Sequence, residues 1–526
     1  MKKKKFLWML VAILTSSLMT ATFTACSSDD DDNNSTTTDP YADIEERVKN
    51  IQPTDSGTIN AYEQAQQALQ AAQSGNGSEV EIEYYKQLLA DMEHEADSID
   101  NANGGNGLFD ALTGFCYKYK VIPVPTTAAD GSEIMMSVLI AWPTRVAISD
   151  PDAHHLVLLC HFTITKDDQR PSNYENLGLS TDCVLVGREW AGSRNYLVVI
   201  PDYEGYGDTK NRVHPYLSRE VQAKQCVDAV CWGQAWYNTN TKMHLEDGWK
   251  VISVGYSQGG AVSAPSYRYW LDHPEMHRVV PRWAGAVCGD GPYDPYATLR
   301  DYCSNDYLQM PCAPLLMLNG LCKTDQEMIA AGIQPRDFCT PAVANCGIFD
   351  MMDKKEKTTF ELDMEIFKLD IPKWTLEEAT ELRKERVGKP HARGVLNDDT
   401  YNFMIDGTLP SDPVIARKLQ VLEHCLKKNA LWYKDDNTVW TAPAGSKFTF
   451  FHSVGDYVVP FRNVQSLMDK WGEENSFCDF QVNNTDTRDH ESVGTAFFAY
   501  YYAGWMKDII NDKWNAGHHL KFGGLW

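Results

Sequence analysis

The chain has 526 residues, of which 43% are apolar and 11% aromatic, enough to bury a sizeable core, so a disordered protein is excluded. With 72 acidic against 48 basic residues it carries −24 at neutral pH, which repels polyanions and argues against nucleic acid as a partner. Its 14 cysteines are scattered without a close Cys-x-x-Cys pair, and no His-x-x-x-His or acidic metal cluster is visible, so neither a metal nor a cofactor is expected.

Residues 1–25 read as a signal peptide: Lys2 to Lys5 form the positive segment, residues 6–14 the apolar one, and small residues precede Cys26. The apolar stretch is too short for a membrane span of ~20 residues. Ala25-Cys26 resembles the lipobox of bacterial lipoproteins, which implies lipidation of Cys26 and a membrane partner reached through that anchor. Residues 26–40, with Ser27-Ser28-Asp29-Asp30-Asp31-Asp32, form an acidic, solvated tether. An acidic run directly after the cysteine also resembles the surface-export signal of Bacteroidetes lipoproteins, implying an outer-membrane, surface-exposed location in the cell envelope. Taking four of the 48 basic residues away with the signal leaves 44 against 72 acidic ones, a charge of −28.

Residues 41–107 read as a polar helical segment, with helices expected over 62–73 and 79–99 and a Gly/Asn-rich break after them, acting as spacer or brace. From 108 onward short apolar runs alternate with helical stretches, the pattern of a mostly parallel sheet covered on both faces. Residues 116–124 and 134–142 suggest an opening hairpin. Six further strands are expected over 155–160, 196–200, 249–254, 283–288, 447–451 and 476–482, making eight. Helices are expected over 219–236, 259–272, 464–471 and 493–511. Residues 291–440 break the rhythm with helical sequence at 375–386 and 414–428, too long for a loop. They read as a helical cap inserted after the sixth strand, or as a bundle packed only on the sheet. Cys303 with Cys312 and Cys339 with Cys346 are possible disulfide pairs.

The chemistry centres on Gly255-Tyr256-Ser257-Gln258-Gly259, which follows an apolar strand and opens a helix. Strand before and helix after are what a nucleophile elbow needs. The serine projects from a tight turn, and Gly255 and Gly259 allow close strand–helix approach. The backbone N–H of Gln258 is then a candidate oxyanion donor at a helix N-terminus. A serine hydroxyl needs a histidine to take its proton and a carboxylate to orient that histidine, in the chain order Ser, Asp/Glu, His. Asp456 is the candidate acid, in a turn after a strand, and His490 the candidate base, after what reads as the final strand. His452, His424, His518 and His519 are rival bases, and Asp486 and Asp489 rival acids.

With Val198-Val199-Ile200-Pro201-Asp202-Tyr203-Glu204-Gly205-Tyr206-Gly207, Gly255-Tyr256-Ser257-Gln258-Gly259-Gly260 and Gly455-Asp456-Tyr457-Val458-Val459-Pro460 in order, the chain resembles the α/β-hydrolase superfamily over about 110–515. Within it, the secretory lipase and esterase group with a large cap is the most similar. That resemblance implies an α/β-hydrolase fold and hydrolysis of a carboxylic ester, with a small-molecule, glycan or lipid ester as substrate. It also implies a Ser257–His490–Asp456 triad and no metal or cofactor. Asp202 precedes the serine and reads as a structural turn residue. Where many members have His-Gly for the second oxyanion donor, this chain has His161-Phe162-Thr163, leaving Phe162 or Thr163 for that role. A serine exopeptidase of the same fold, or an inactive surface-binding lipoprotein, remains an alternative.

Overall fold

Strand-forming apolar runs set the architecture. The computed structural model describes residues 39–74, 79–102, 116–144, 155–173, 196–245, 247–370, 391–436, 438–484 and 490–521. The signal peptide, Cys26, nearly all of the tether, the break after the N-terminal helices and the helix expected over 375–386 lie outside them. Asp43–Trp526 forms one unit and Met1–Ala42 another. No helix among the described residues is long and apolar enough to cross a membrane.

The eight expected strands are all present. They are β2 (Cys116–Thr127), β3 (Glu133–Pro143), β4 (Leu156–Cys160), β5 (Leu197–Pro201), β6 (Val251–Tyr256), β7 (Trp283–Gly289), β10 (Phe448–Ser453) and β11 (Cys478–Asn483). The short β8 (Tyr433–Asp435) and β9 (Thr438–Val439) form a separate hairpin. Among the described residues the central sheet has ten strands, in the order β1-β2-β3-β5-β4-β6-β7-β10-β11-β12, with β1 (Asp55–Asn60) and β12 (Gly517–Lys521) at its edges. From β5 across to β12 neighbours pair in parallel, and β1, β2 and β3 are antiparallel.

Two edge strands extend the expected eight. β1 (Asp55–Asn60), inside the segment read as helical, pairs antiparallel with β2, and β12 (Gly517–Lys521) lies parallel to β11, so β11 is not the final strand. Both are polar sequences, because an edge strand need not bury both faces. The two expected helices follow β1 as α1 (Ala61–Ser74) and α2 (Glu79–Ala102). Tyr84, Tyr85 and Met92 of α2 share a buried cluster with Val121, Leu139 and Val198 of the sheet, so this segment is part of the body that the sheet builds.

Central strands are buried on both sides: every residue of β4, β5, β6 and β10 is buried. Helices α3 (Arg219–Asn240) and α4 (Gln258–Asp272) flank β6 in sequence. Between β7 and β10 the chain leaves the sheet for the expected insertion. Its helices include Pro295–Asn305, α5 (Cys312–Thr324), α6 (Gln326–Ala330), Asp398–Asp406 and α7 (Pro413–Lys428). These bury Leu299, Leu315, Leu318, Phe338, Met404 and Leu422 in a core of their own. The thiols of Cys303, Cys339 and Cys346 are free, so neither suggested disulfide forms. Cys339 and Cys346 instead donate to the nearby carbonyls of Pro335 and Val343.

Candidate active site

Helix α4 begins at Gln258 immediately after β6 ends at Tyr256, leaving Ser257 at the corner with φ 57° and ψ −126°. A non-glycine residue in that region is strained and persists only where its surroundings over-determine it. Here the Ser257 N–H donates to the Gly289 carbonyl (2.9 Å), and the Ser257 carbonyl accepts from Ala261 N–H (3.2 Å). A Cβ on Gly255 would lie 2.2 Å from the Gly259 carbonyl oxygen, and one on Gly259 2.0 Å from the Cys160 carbonyl oxygen. Only glycine fits where strand, helix and the end of β4 meet backbone to backbone.

The turn aims the serine hydroxyl at His490, the first residue of helix His490–Ala496. His490 Nε2 lies 2.9 Å from Ser257 Oγ, and its Nδ1 lies 2.5 Å from Asp456 Oδ2. A carboxylate accepts only, so the imidazole proton sits on Nδ1 and Nε2 is left to accept from the serine. All three residues are buried. The Tyr256 hydroxyl, expected only as an elbow residue, donates to the His490 carbonyl (2.8 Å) with the two rings 5.0 Å apart.

Asp456 is held by the turn after β10. Its Oδ1 accepts the N–H groups of Val458 (2.9 Å) and Val459 (3.0 Å). The carbonyls of those two residues are also claimed: Tyr302 from the insertion donates to Val458, and His452 Nε2 donates to Val459 at 3.0 Å. Burial pulls the His452 pKa down to about 4 even though its Nδ1 faces Asp290 Oδ1 at 3.4 Å, and its contact is with the turn, not with Ser257. Of the other rivals, His424 lies in the insertion beside Glu327, and His518 and His519 lie on β12. Asp486 and Asp489 lie outside the described residues.

The N-terminus of α4 carries Gln258, whose side chain is anchored by a residue the sequence reading missed. Gln258 Nε2 lies 2.7 Å from His214 Nε2, and His214 Nδ1 lies 2.7 Å from the Glu204 carbonyl. The carbonyl can only accept, so Nδ1 holds the proton and the Gln258 amide donates. Burial pulls the His214 pKa down to about 3, which keeps this tautomer neutral. Glu204 is itself held by Arg212 (2.7 Å) and by Gln225 (2.9 Å). Nothing local marked His214, which lies 44 residues before Gln258 in a loop.

The loop after β4 lies against this helix end. Thr163 lines the same pocket as Ser257, and its Oγ1 is 3.0 Å from the Tyr216 hydroxyl. The Phe162 carbonyl faces His161 Nδ1 at 2.7 Å, and the buried His161 ring stacks on Tyr203 with centroids 4.0 Å apart. Asp202 accepts from the N–H (2.8 Å) and hydroxyl (2.5 Å) of Ser172; burial nevertheless raises its pKa to about 7. It is a turn residue, away from His490.

Above Ser257 the pocket is walled by Tyr216 and Leu217, by Tyr302, Met310 and Met317 of the insertion, and by Val458 and Val459. Among the described residues, no charged side chain lines it. The insertion therefore shapes the pocket and does not merely pack on the sheet.

No family model matches the chain, and no curated protein sequence does. Solved structures do match it in shape. A candidate hydrolase from Legionella pneumophila is 16% identical with a TM-score of 0.56, over 76% of this chain and 90% of that one. A variant of the rice cell wall degrading esterase LipA from Xanthomonas oryzae is 16% identical, with a TM-score of 0.52 over 75% and 91%. Candida antarctica lipase A in its closed state is 13% identical, with a TM-score of 0.50 over 76% and 78%. At such identities the likeness concerns architecture, and together with the sheet order and the turn at Ser257 it shows that the chain has the α/β-hydrolase fold.

Proposed function

We propose that this protein is a serine hydrolase that cleaves carboxylic esters through an acyl-enzyme. The observation that carries the reading is the hydrogen-bonded chain from Ser257 through His490 to Asp456, at 2.9 and 2.5 Å, on a strained turn beneath a pocket. In the first step His490 Nε2 takes the Ser257 proton as Oγ attacks the ester carbonyl. Asp456 keeps the imidazole in its tautomer and steadies the charge that forms. Developing negative charge on the carbonyl oxygen faces the N-terminus of α4, where the Gln258 N–H is one donor and a backbone N–H of Phe162 or Thr163 the second. His490 then gives its proton to the departing alcohol, and water enters by the same route to release the acid. No metal or cofactor takes part in this mechanism.

The uncharged pocket favours an ester with an apolar acyl part over a peptide, because a peptidase acting at chain ends must bind a charged terminus. An esterase and a lipase among the structures of similar shape agree with that preference. Replacing Ser257 by alanine is expected to lower turnover of p-nitrophenyl esters by about 10⁴-fold or more and to abolish fluorophosphonate labelling. Equal labelling of wild type and variant would remove the nucleophile assignment, and turnover of dipeptidyl p-nitroanilides alone would replace esterase by peptidase.

The reading extends to location: Cys26 carries the lipid, and residues 26–40 tether the hydrolase to the outer membrane, facing outward. Metabolic labelling with a fatty acid should mark the wild type and not Cys26→Ala, which should appear in the soluble fraction; a soluble wild type would rule the anchor out.

A further inference from the structure

Apart from the pocket, the insertion gathers a thiol, an imidazole and a carboxylate that the hydrolase mechanism does not use. Glu327 comes from α6, and His424 and Cys425 from α7, 97 and 98 residues later. One ligand atom from each lies within 4.8 Å of the other two. Glu327 Oε2 is 2.6 Å from His424 Nδ1 and 3.8 Å from Cys425 Sγ. A tetrahedral zinc with metal–nitrogen and metal–oxygen bonds of ~2.0–2.2 Å and a metal–sulfur bond of ~2.3 Å holds its ligand atoms roughly 3.3–3.6 Å apart. The three side chains need to shift by less than about 1 Å to meet that spacing.

Two surrounding features independently fit a metal. His424 Nε2, the nitrogen left over, faces Asp436 Oδ1 at 3.3 Å, and a ligating imidazole characteristically donates its second N–H to a carboxylate. Lys428 is paired with Asp325 (2.7 Å to Oδ2), whose Oδ1 caps α6 through the N–H groups of Glu327 and Met328. That pair is neutral, so one carboxylate and one thiolate remain to balance a divalent charge. Lys428 Nζ also pairs with Glu327 Oε2 at 3.7 Å, a longer contact than that to Asp325 and one that a bound cation would displace. The side chains of His424 and Glu327 are 38% and 35% exposed, which opens a path from solvent, while Cys425 is buried.

We propose that Glu327, His424 and Cys425 form a binding site for a divalent cation of the zinc class, with Asp436 orienting the imidazole and water or a small ligand in the fourth position. Thiolate with imidazole selects zinc, cobalt or nickel over magnesium and calcium, which prefer all-oxygen sites. On binding, the Cys425 S–H bond breaks, a sulfur–metal bond forms and the proton goes to solvent. His424 ligates through Nδ1, any proton there also going to solvent, while its Nε2–H donates to Asp436. The bound ion ties the short helix α6 to the end of α7. Sequence could not reveal this site, since its ligands stand in no local spacing.

The test uses the full chain, stripped with chelator and titrated with Co²⁺. One equivalent should bind, with a thiolate-to-cobalt charge-transfer band and the intense visible bands of tetrahedral cobalt, both erased by Zn²⁺. Cys425→Ser should lose the charge-transfer band. Glu327→Gln should weaken binding at least tenfold, and Asp436→Asn, at an exposed position, by roughly 10–100-fold. Circular dichroism of each variant reports its folding. Absence of the charge-transfer band in the wild type overturns the proposal, as does a band that Cys425→Ser leaves intact, or equal cobalt affinity in the wild type, Glu327→Gln and Asp436→Asn.

Discussion

Asp456 is aimed at His490 by a turn in which Val458 and Val459 are each held at both N–H and carbonyl. The Val458 and Val459 N–H groups point at the carboxylate while Tyr302 and His452 hold the corresponding carbonyls. Asp456→Asn should leave that turn intact and lower ester turnover by about 10⁴-fold, because the amide favours the wrong imidazole tautomer. Tyr302→Phe removes one grip and leaves the Val458 carbonyl without its buried donor. Urea unfolding should show a loss of ~1–3 kcal/mol, with kcat falling more than KM rises. His452 adds a pH signature. Its folded pKa of about 4 lies below the unfolded value of ~6.5, so the unfolded chain binds a proton the native one does not between those limits. Stability is lost as pH falls from about 6.5 to 4, at ~1.4 kcal/mol per pH unit from this group. Urea midpoints between pH 6.5 and 4.5 should give a slope shallower by that amount in His452→Gln. An unchanged slope would mean that His452 is protonated in the folded protein. That Ser257, Asp456 and His490 would meet was legible in the sequence, because the elbow and the chain order constrain them. His214 and His452 were not, because each acts through a backbone or side-chain partner brought near only by folding.

At the level of elements, the alternation of apolar runs was enough to place the eight inner strands. It failed at the edges: Asp55–Asn60 is nearly all polar and Gly517–Lys521 carries two histidines, since each pairs on one side only. The closing helix, expected as one piece, is interrupted by a π-helical turn at Phe497–Tyr501, where Phe497 and Phe498 bury between Tyr256, Phe451 and Tyr502. Aromatic packing decides that bulge, and periodicity does not report it. The crowding at the elbow gives a sharp expectation. Gly259→Ala puts a Cβ into the Cys160 carbonyl, so β4 and α4 must part, at a cost of at least ~3 kcal/mol in a urea titration and with ester turnover lost. Ordinary turnover in that variant would mean the elbow has slack that the packing denies. Truncation before Gly517 should expose the β11 edge, and light scattering should report association that the full chain resists.

Across the whole molecule, the largest interruption of the sheet falls between β7 and β10, which pair side by side although Gly289 and Phe448 are separated by the entire insertion. Closing so long a loop adds only a modest entropic cost, rising as ~1.5RT ln n, and the insertion repays it with a core of its own. The order of events is affected more than the stability. A chain emerging N-terminus first presents Ser257 on a half-built sheet whose β7 edge has no neighbour, and the carboxylate and imidazole arrive only after the insertion has been made and folded. On the proposed mechanism catalytic competence is then the last property the chain acquires, so a chain trapped with its insertion unfolded carries an inert hydroxyl. On dilution from urea, tryptophan fluorescence should recover ahead of ester turnover, with turnover returning in the slowest phase; simultaneous recovery would show instead that sheet and insertion fold as one unit.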